Sequence, residues 1–221
     1  MSRLLAAAAA AGIAAACLAA PAAKTTGPTF IDLQGKANQP LADDVGGRIP
    51  NNTLAAVPTG EQTFAGVKFK VGDKCVQLGS PLLTKERPAK VEGIPVGRKA
   101  DRLHFLHSTL FGKAEPTIED GDTVAEYRVA YDDGTAAAVP VKYGEDVRDW
   151  WYAKGAPAAA GDKVRVAWEG ENEAAKANAN GIRLYLTTWK NPHPGKKVVS
   201  IDFARTDGTP ASPLLVAVTA E

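Results

Sequence analysis

The stretch Ala125-Glu126-Tyr127-Arg128-Val129-Ala130-Tyr131-Asp132-Asp133-Gly134 decides the reading of this chain. Successive side chains of an extended strand point to opposite faces, so Ala125, Tyr127, Val129 and Tyr131 share one face and Glu126 and Arg128 the other. Asp132-Asp133-Gly134 then supplies a hairpin turn, and Val139 and Val141 resume the alternation on the return. One half-buried antiparallel hairpin is implied.

The same period of two recurs outward from it. Val67, Phe69 and Val71 alternate with Lys68 and Lys70, and Val164, Val166 and Trp168 alternate with Arg165 and Glu169. Ile182, Leu184 and Leu186 alternate with Arg183, Tyr185 and Thr187; Val199, Ile201 and Phe203 form another set, and Leu214, Val216 and Val218 the last. With the segments around Val76, Val91 and Leu103 this makes about ten short strands, separated by clusters of Gly, Pro, Asn and Asp. The helix candidate in the same region, Asn172 to Asn178, has helix propensity but no apolar stripe to dock. Many strands with almost no helix predict an all-β fold, an antiparallel β-sandwich of jelly-roll type over residues 29–221. From Leu33 to Gly60 the chain is long, irregular and rich in Asn, Asp, Gly and Pro, and long loops in compact domains often carry function.

Ahead of the sandwich, Met1-Ser2-Arg3 puts one basic side chain before a small and apolar run from Leu4 to Ala20. This is the layout of a secretory signal peptide, residues 1–22, with Ala20-Pro21-Ala22 as the cleavage signal and residues 23–28 as a short tether. The run is mostly alanine, too weakly hydrophobic for a membrane span. The expected location is secreted or periplasmic. An alternative rests on Cys17, which follows Ala14-Ala15-Ala16 much as the cysteine of a bacterial lipoprotein box follows small residues; a lipid anchor there would tether the domain to a membrane surface.

The chain carries 26 Lys and Arg against 25 Asp and Glu. Loss of Arg3 with the leader leaves the exported part near neutral, so charge gives no case for nucleic acid or anionic lipid as a partner. Once Cys17 has gone with the leader, Cys75 is left without a disulfide partner. It lies in the apolar stretch Cys75-Val76-Gln77-Leu78 and reads as a buried, inert thiol.

Catalytic motifs are absent: there is no Gly-x-Ser-x-Gly elbow, Walker loop, Cys-x-x-Cys pair or His-Glu-x-x-His. His104 and His107 lie three apart in a strand pattern and so point to opposite faces, which suits two structural histidines better than a zinc pair. Glu169, Glu171 and Glu173 read as a solvated loop, and Asp120-Gly121-Asp122 and Asp132-Asp133-Gly134 as turns before calcium ligands. No cofactor is expected, and no structural calcium can be assigned to particular residues.

The aromatics are more informative. Adjacent Trp150 and Trp151, after Asp149, cannot both enter one core from an extended chain, so at least one is partly exposed or packs under a loop. In the strand from Ile182, the face opposite Ile182, Leu184 and Leu186 carries Arg183, Tyr185, Thr187 and Trp189. Rings of this kind stack on the apolar face of a sugar and Arg supplies donors, unless a second layer covers them. The candidate ligand-binding residues are Trp151, Asp149, Arg183, Tyr185, Trp189 and Asn191, with no catalytic or metal-binding residue among them.

The motifs Phe64-Ala65-Gly66-Val67-Lys68-Phe69, Leu103-His104-Phe105-Leu106-His107, Tyr127-Arg128-Val129-Ala130-Tyr131-Asp132-Asp133-Gly134, Asp149-Trp150-Trp151 and Trp189-Lys190-Asn191-Pro192-His193-Pro194 give the chain its layout. That layout resembles the galactose-binding-like jelly-roll modules attached to bacterial carbohydrate-active enzymes. The resemblance implies a non-catalytic sandwich that binds carbohydrate or another cell-envelope component, with ligand loops at one end and sometimes a structural calcium. The alternatives are a structural or protein-interaction sandwich, and a hydrolase whose acidic residues the sequence does not single out.

The exported protein is expected to lack residues 1 to about 22. Its intact mass checks this: retention of Met1 or Ser2 rules it out, and a lipid adduct on Cys17 selects the tethered form.

Overall fold

The computed structural model describes residues 27–155 and 163–221; residues 1–22, with Cys17, and residues 23–26 of the tether lie outside the described residues. The chain opens with the short strands β1 (Thr29–Ile31) and β2 (Gln39–Pro40), followed by β3 (Gly60–Phe64), β4 (Val67–Val71) and β5 (Lys74–Gln77). Longer strands come next: β6 (Lys90–Lys99), β7 (Arg102–Leu110), β8 (Thr123–Tyr131) and β9 (Ala136–Lys142). After β10 (Trp151–Ala153) and β11 (Val166–Gly170) come the helix α1 (Glu173–Ala177) and strands β12 (Asn180–Lys190), β13 (Lys197–Arg205) and β14 (Ser212–Ala220).

Two antiparallel sheets pack face to face. One contains the run β5-β14-β7-β12, extended by β2 and β10 and joined by β1 and β11; the other is β6-β13-β8-β9. If only the eight strands of the two four-strand runs are numbered along the chain, their orders are 1-8-3-6 and 2-7-4-5. That is the double-sheet order of a jelly roll, so the sandwich expected from the alternation is the one observed. The hairpin that decided the sequence reading is β8–β9, closed by Tyr131 and Thr135 around Gly134, whose φ of +82° suits glycine.

Between the sheets the core is built on a ring stack. Tyr127 of β8 lies between Phe105 of β7 and Phe203 of β13, with centroids 4.0 Å and 4.6 Å apart. Each such pair adds about 0.5–1.5 kcal/mol beyond its buried area. The Tyr127 hydroxyl would be stranded there without a partner, and His107 supplies one at 3.1 Å through Nδ1. His107 Nε2 meets Thr187 Oγ1 at 2.9 Å, and Thr187 in turn donates to Asp146 Oδ1 at 3.1 Å. A carboxylate only accepts, so Thr187 must spend its proton on Asp146 and accept from Nε2–H, leaving Nδ1 to accept from Tyr127. The chain of bonds is complete with the imidazole neutral. Burial accordingly pushes His107 down to about 3.

The far face of the larger sheet is equally apolar. Leu106, Ile182, Leu184, Leu214 and Val216 are covered by residues 41–59, through Leu41, Val45, Leu54 and Val57, and by the β3–β4 hairpin, through Phe64, Phe69 and Val71. The molecule therefore has a third layer, and every residue of β14 is buried. The short helix, capped by Asn172 on the amide of Ala175, docks through Ala174 and Ala175. Small side chains do the work expected of a stripe.

Two expectations about strand faces change, each at a β-bulge. Register slips between Val166 and Trp168 of β11, so Val164 and Val166 face the ring-stack core while Ala167 and Trp168 pack on the other face of the sheet. Trp168 is thus out of phase with Val164 and Val166. In β13 a slip between Val198 and Ser200 turns Val198 inward and leaves Val199 exposed. One extra residue reverses the faces of everything beyond it. The edges of the smaller sheet are interrupted: Pro95 and a register shift break β6, and Pro140 removes a donor from β9.

Because His107 is neutral when folded and takes a proton near 6.5 when unfolded, its contribution is present above about pH 6.5 and is lost progressively as pH falls towards about 3. Urea denaturation of the wild type and of His107→Phe across pH 7 to 4 checks this. The variant should be less stable at pH 7. Its stability should also lack a component of slope that one proton limits to about 1.4 kcal/mol per pH unit.

Candidate functional site

Where residues 41–59 fold back over the larger sheet they leave a groove of about 420 Å3 at its end, within the size range of small-ligand clefts. Three segments wall it. Residues 45–52 contribute Val45, Arg48, Ile49 and Asn52; the turn after β7 contributes Phe111, Lys113 and Ala114; Asp149, Trp150 and Trp151 form the floor, with Asn180 at one end.

Each wall is held in place by identifiable contacts. Trp150 is buried, 3 % exposed, and its amide donates to Thr109 O at 2.9 Å while its carbonyl accepts from Arg183 N at 2.7 Å. Trp150 therefore stitches the start of β10 between β7 and β12. Trp151 follows on the same core cluster but stays half-buried, and its Nε1 donates to Asn52 Oδ1 at 3.1 Å. The same Asn52 oxygen accepts from Asn172 Nδ2 at 3.1 Å, and the Asn52 amide and carbonyl bind Asp44 and Val45. Asn52 thus ties the loop, the helix cap and the indole into one unit. With its N–H spent, Trp151 has only its ring surface to offer the groove.

Asp149 holds the opposite wall. Its carboxylate accepts from Gly112 N at 2.9 Å and Trp151 N at 3.1 Å, and also from the Lys113 amide. These bonds pin a turn in which Phe111 adopts a φ of +62° and Gly112 passes so close to Tyr143 that a Cβ would lie 2.5 Å from its ring. Only glycine fits there. Desolvation outweighs the amides and the Lys113 charge, pushing Asp149 up to about 6. Ile49, 41 % exposed, is one of only two exposed large apolar side chains among the described residues, and it stands on the groove's rim.

Of the residues singled out from sequence, the structure brings Trp151 and Asp149 together in this groove. It places the other four elsewhere. Arg183 lies on the opposite face of β12, stacked 3.6 Å over the Tyr152 ring and paired with Glu169 at 2.6 Å. Tyr185 is inside the sandwich, 2 % exposed, donating to the Asp149 carbonyl at 3.1 Å. Asn191 is buried, accepting from Tyr131 Oη at 2.7 Å and donating to Ala100 O at 2.8 Å. Trp189 is half-buried against the ring-stack core. It lies along β12 from Ile182, the partner of Trp151, at roughly 23 Å from the strand rise. The second sheet covers most of the face that carries these side chains.

Residues that sequence reasoning passed over complete the groove. Asn52, Ile49, Arg48, Phe111 and Lys113 all sit in irregular segments, where periodicity assigns no face. The one usable signal was Arg48-Ile49-Pro50, an isolated apolar side chain in a polar loop. The acidic residues near β11 are engaged locally: Glu169 with Arg183, Glu171 with Lys154, and Glu173 with Asn51 Nδ2. His104 and His107 are buried, His104 meeting Thr188 Oγ1 at 2.8 Å.

Compared with protein-family models, with curated proteins and with solved structures, the chain matches none.

The carboxyl carbon of Asp149, followed by NMR, should titrate with a midpoint near 6 rather than near 3.8. The sign is opposite to that of His107: the folded chain holds this proton more tightly than the unfolded one. Its contribution to stability is therefore full below about 3.8 and lost as pH rises through about 6.

Proposed function

We propose that this protein is an exported, non-catalytic jelly roll that binds carbohydrate or another cell-envelope component through the groove at Trp151. The observation that carries the reading is the indole itself. Trp151 is held by Asn52 in a fixed orientation with ring surface left bare, beside the exposed Ile49 and next to Asp149, whose carboxylate is engaged by the amides of Gly112 and Trp151. A rigid aromatic plane with a few polar groups around it is the equipment needed to stack a sugar ring, because the ring face is apolar and its hydroxyls need donors and acceptors. Preorganisation lowers the entropy lost on binding.

The resemblance to galactose-binding-like modules points the same way, and so does the leader read in residues 1–22. The local pairing of Glu169, Glu171 and Glu173 supports a binding role over a hydrolytic one, since none of the three stands free opposite a second carboxylate. The burial of Tyr185 and Asn191 favours a second reading in which the aromatic residues of β12 are structural and the protein binds another protein.

A glycan array probed with the exported protein, followed by titration of Trp151→Ala and Trp150→Ala, separates the two. Under the carbohydrate reading Trp151→Ala loses at least about tenfold in affinity, or about 1.4 kcal/mol, at a smaller cost in stability than truncation of the fully buried Trp150. Trp150→Ala, at a buried ring, costs about 3–5 kcal/mol of folding free energy. A blank array favours the protein-interaction reading, and full glycan binding by Trp151→Ala removes the indole from the site.

A further inference from the structure

The groove has a charge character that the near-neutral chain as a whole lacks. Its lining contains two cationic side chains, Arg48 and Lys113, and one carboxylate, Asp149. The three do not balance at the rim. Asp149 is the floor, and its oxygens are turned to the amides of Gly112, Lys113 and Trp151. Lys113 has no salt-bridge partner among the described residues, and Arg48 spends only Nε, on Leu82 O, leaving its two terminal nitrogens for solvent or a ligand. Of the acidic side chains in the flanking segments, Asp44 accepts from the amide of Asn52, Glu115 from Thr117 and Glu173 from Asn51; these and Asp43 keep their charge but are not among the residues that line the groove. The ring of Phe111, the indole of Trp151 and the exposed Ile49 line the same groove.

We infer that the ligand of this groove is an acidic glycan, a sugar whose ring carries an anionic substituent that lies between Arg48 and Lys113 while its apolar face rests on Trp151. The inference rests on the carbohydrate reading above and narrows it. A neutral sugar can accept hydrogen bonds from both rim cations but leaves their charge uncompensated, and a cationic one meets them as like charges. An anionic substituent takes up the five donors of guanidinium and the three of ammonium, of which only Arg48 Nε is in use. The attraction acts across a solvent-exposed rim, so it is modest and screened by salt. Two such substituents, a carboxylate and a sulfate ester, share this chemistry.

The test uses three probes on the exported protein and its variants at low and high salt: a uronic-acid oligosaccharide, its carboxyl-reduced neutral counterpart and a sulfated oligosaccharide. Arg48→Gln and Lys113→Gln change exposed side chains, and equal melting temperatures confirm that they fold. Each variant should weaken binding of the acidic glycan about 3- to 5-fold, the scale of an exposed charge pair, and the double variant about tenfold. Binding of the carboxyl-reduced glycan should change less with the variants than binding of the acidic one, and only the latter should fall as salt rises. Preference for the uronic acid or for the sulfated glycan identifies the substituent. Equal binding of acidic and neutral glycans, indifferent to Arg48→Gln and Lys113→Gln but lost in Trp151→Ala, overturns the inference and leaves the carbohydrate reading intact. No binding of any of the glycans overturns both.

Discussion

Strand β14 is buried along its whole length, and that fact organises the molecule. Leu215 and Val218 face the ring-stack core, while Leu214, Val216 and Ala217 face the other way. A sheet with two apolar faces needs cover on both, because each uncovered leucine or valine forgoes about 1.5–3 kcal/mol. The four-stranded sheet covers one face. The other is covered by a hairpin and by residues 41–59, a segment with little regular structure that is nonetheless fixed by Leu41, Val45, Leu54 and Val57. The groove lies at the margin of this irregular lid, where the lid stops short of the end of the sheet. The candidate site is therefore a by-product of how the second face is closed.

Much of the fold was legible because alternation is a local signal. Ala125, Tyr127, Val129 and Tyr131 all point inward, and the turn falls at Gly134. What alternation cannot show is a bulge, since a bulge changes the phase without changing the composition. Trp168 and Val199 were assigned to the wrong side for that reason. Nor does it show whether a polar-looking face meets water or another sheet. Tyr185 and Arg183 read alike in the sequence, yet one is enclosed and the other stacks at the end of the sandwich. The unbroken apolar run from Pro213 to Val218 carried the missing information, because a strand with one wet face does not need it.

The site was half legible. Two neighbouring tryptophans force a division of labour in an extended chain, and the structure has Trp150 inside and Trp151 at the groove. Asp149 came with them. Asn52 did not, because its role depends on contacts with residues about 100 and 120 positions away in the chain. Polar residues in irregular segments acquire a function only through such distant partners. The same holds for Phe111 and Lys113, placed by a turn whose shape is set by a carboxylate on another strand.

The interrupted edges of the smaller sheet bear on the life of the protein before and after it folds. Its outer face is bare, and its two border strands, β6 and β9, run for ten and seven residues, long enough to recruit a stranger's backbone. Pro95 and the register shift in β6, and Pro140 in β9, break the regular sequence of donors and acceptors that an incoming strand would copy. An unfolded neighbour thus finds these two edges interrupted as templates. These edges are guarded by backbone geometry rather than by net charge, which for this near-neutral chain is too small to keep copies apart.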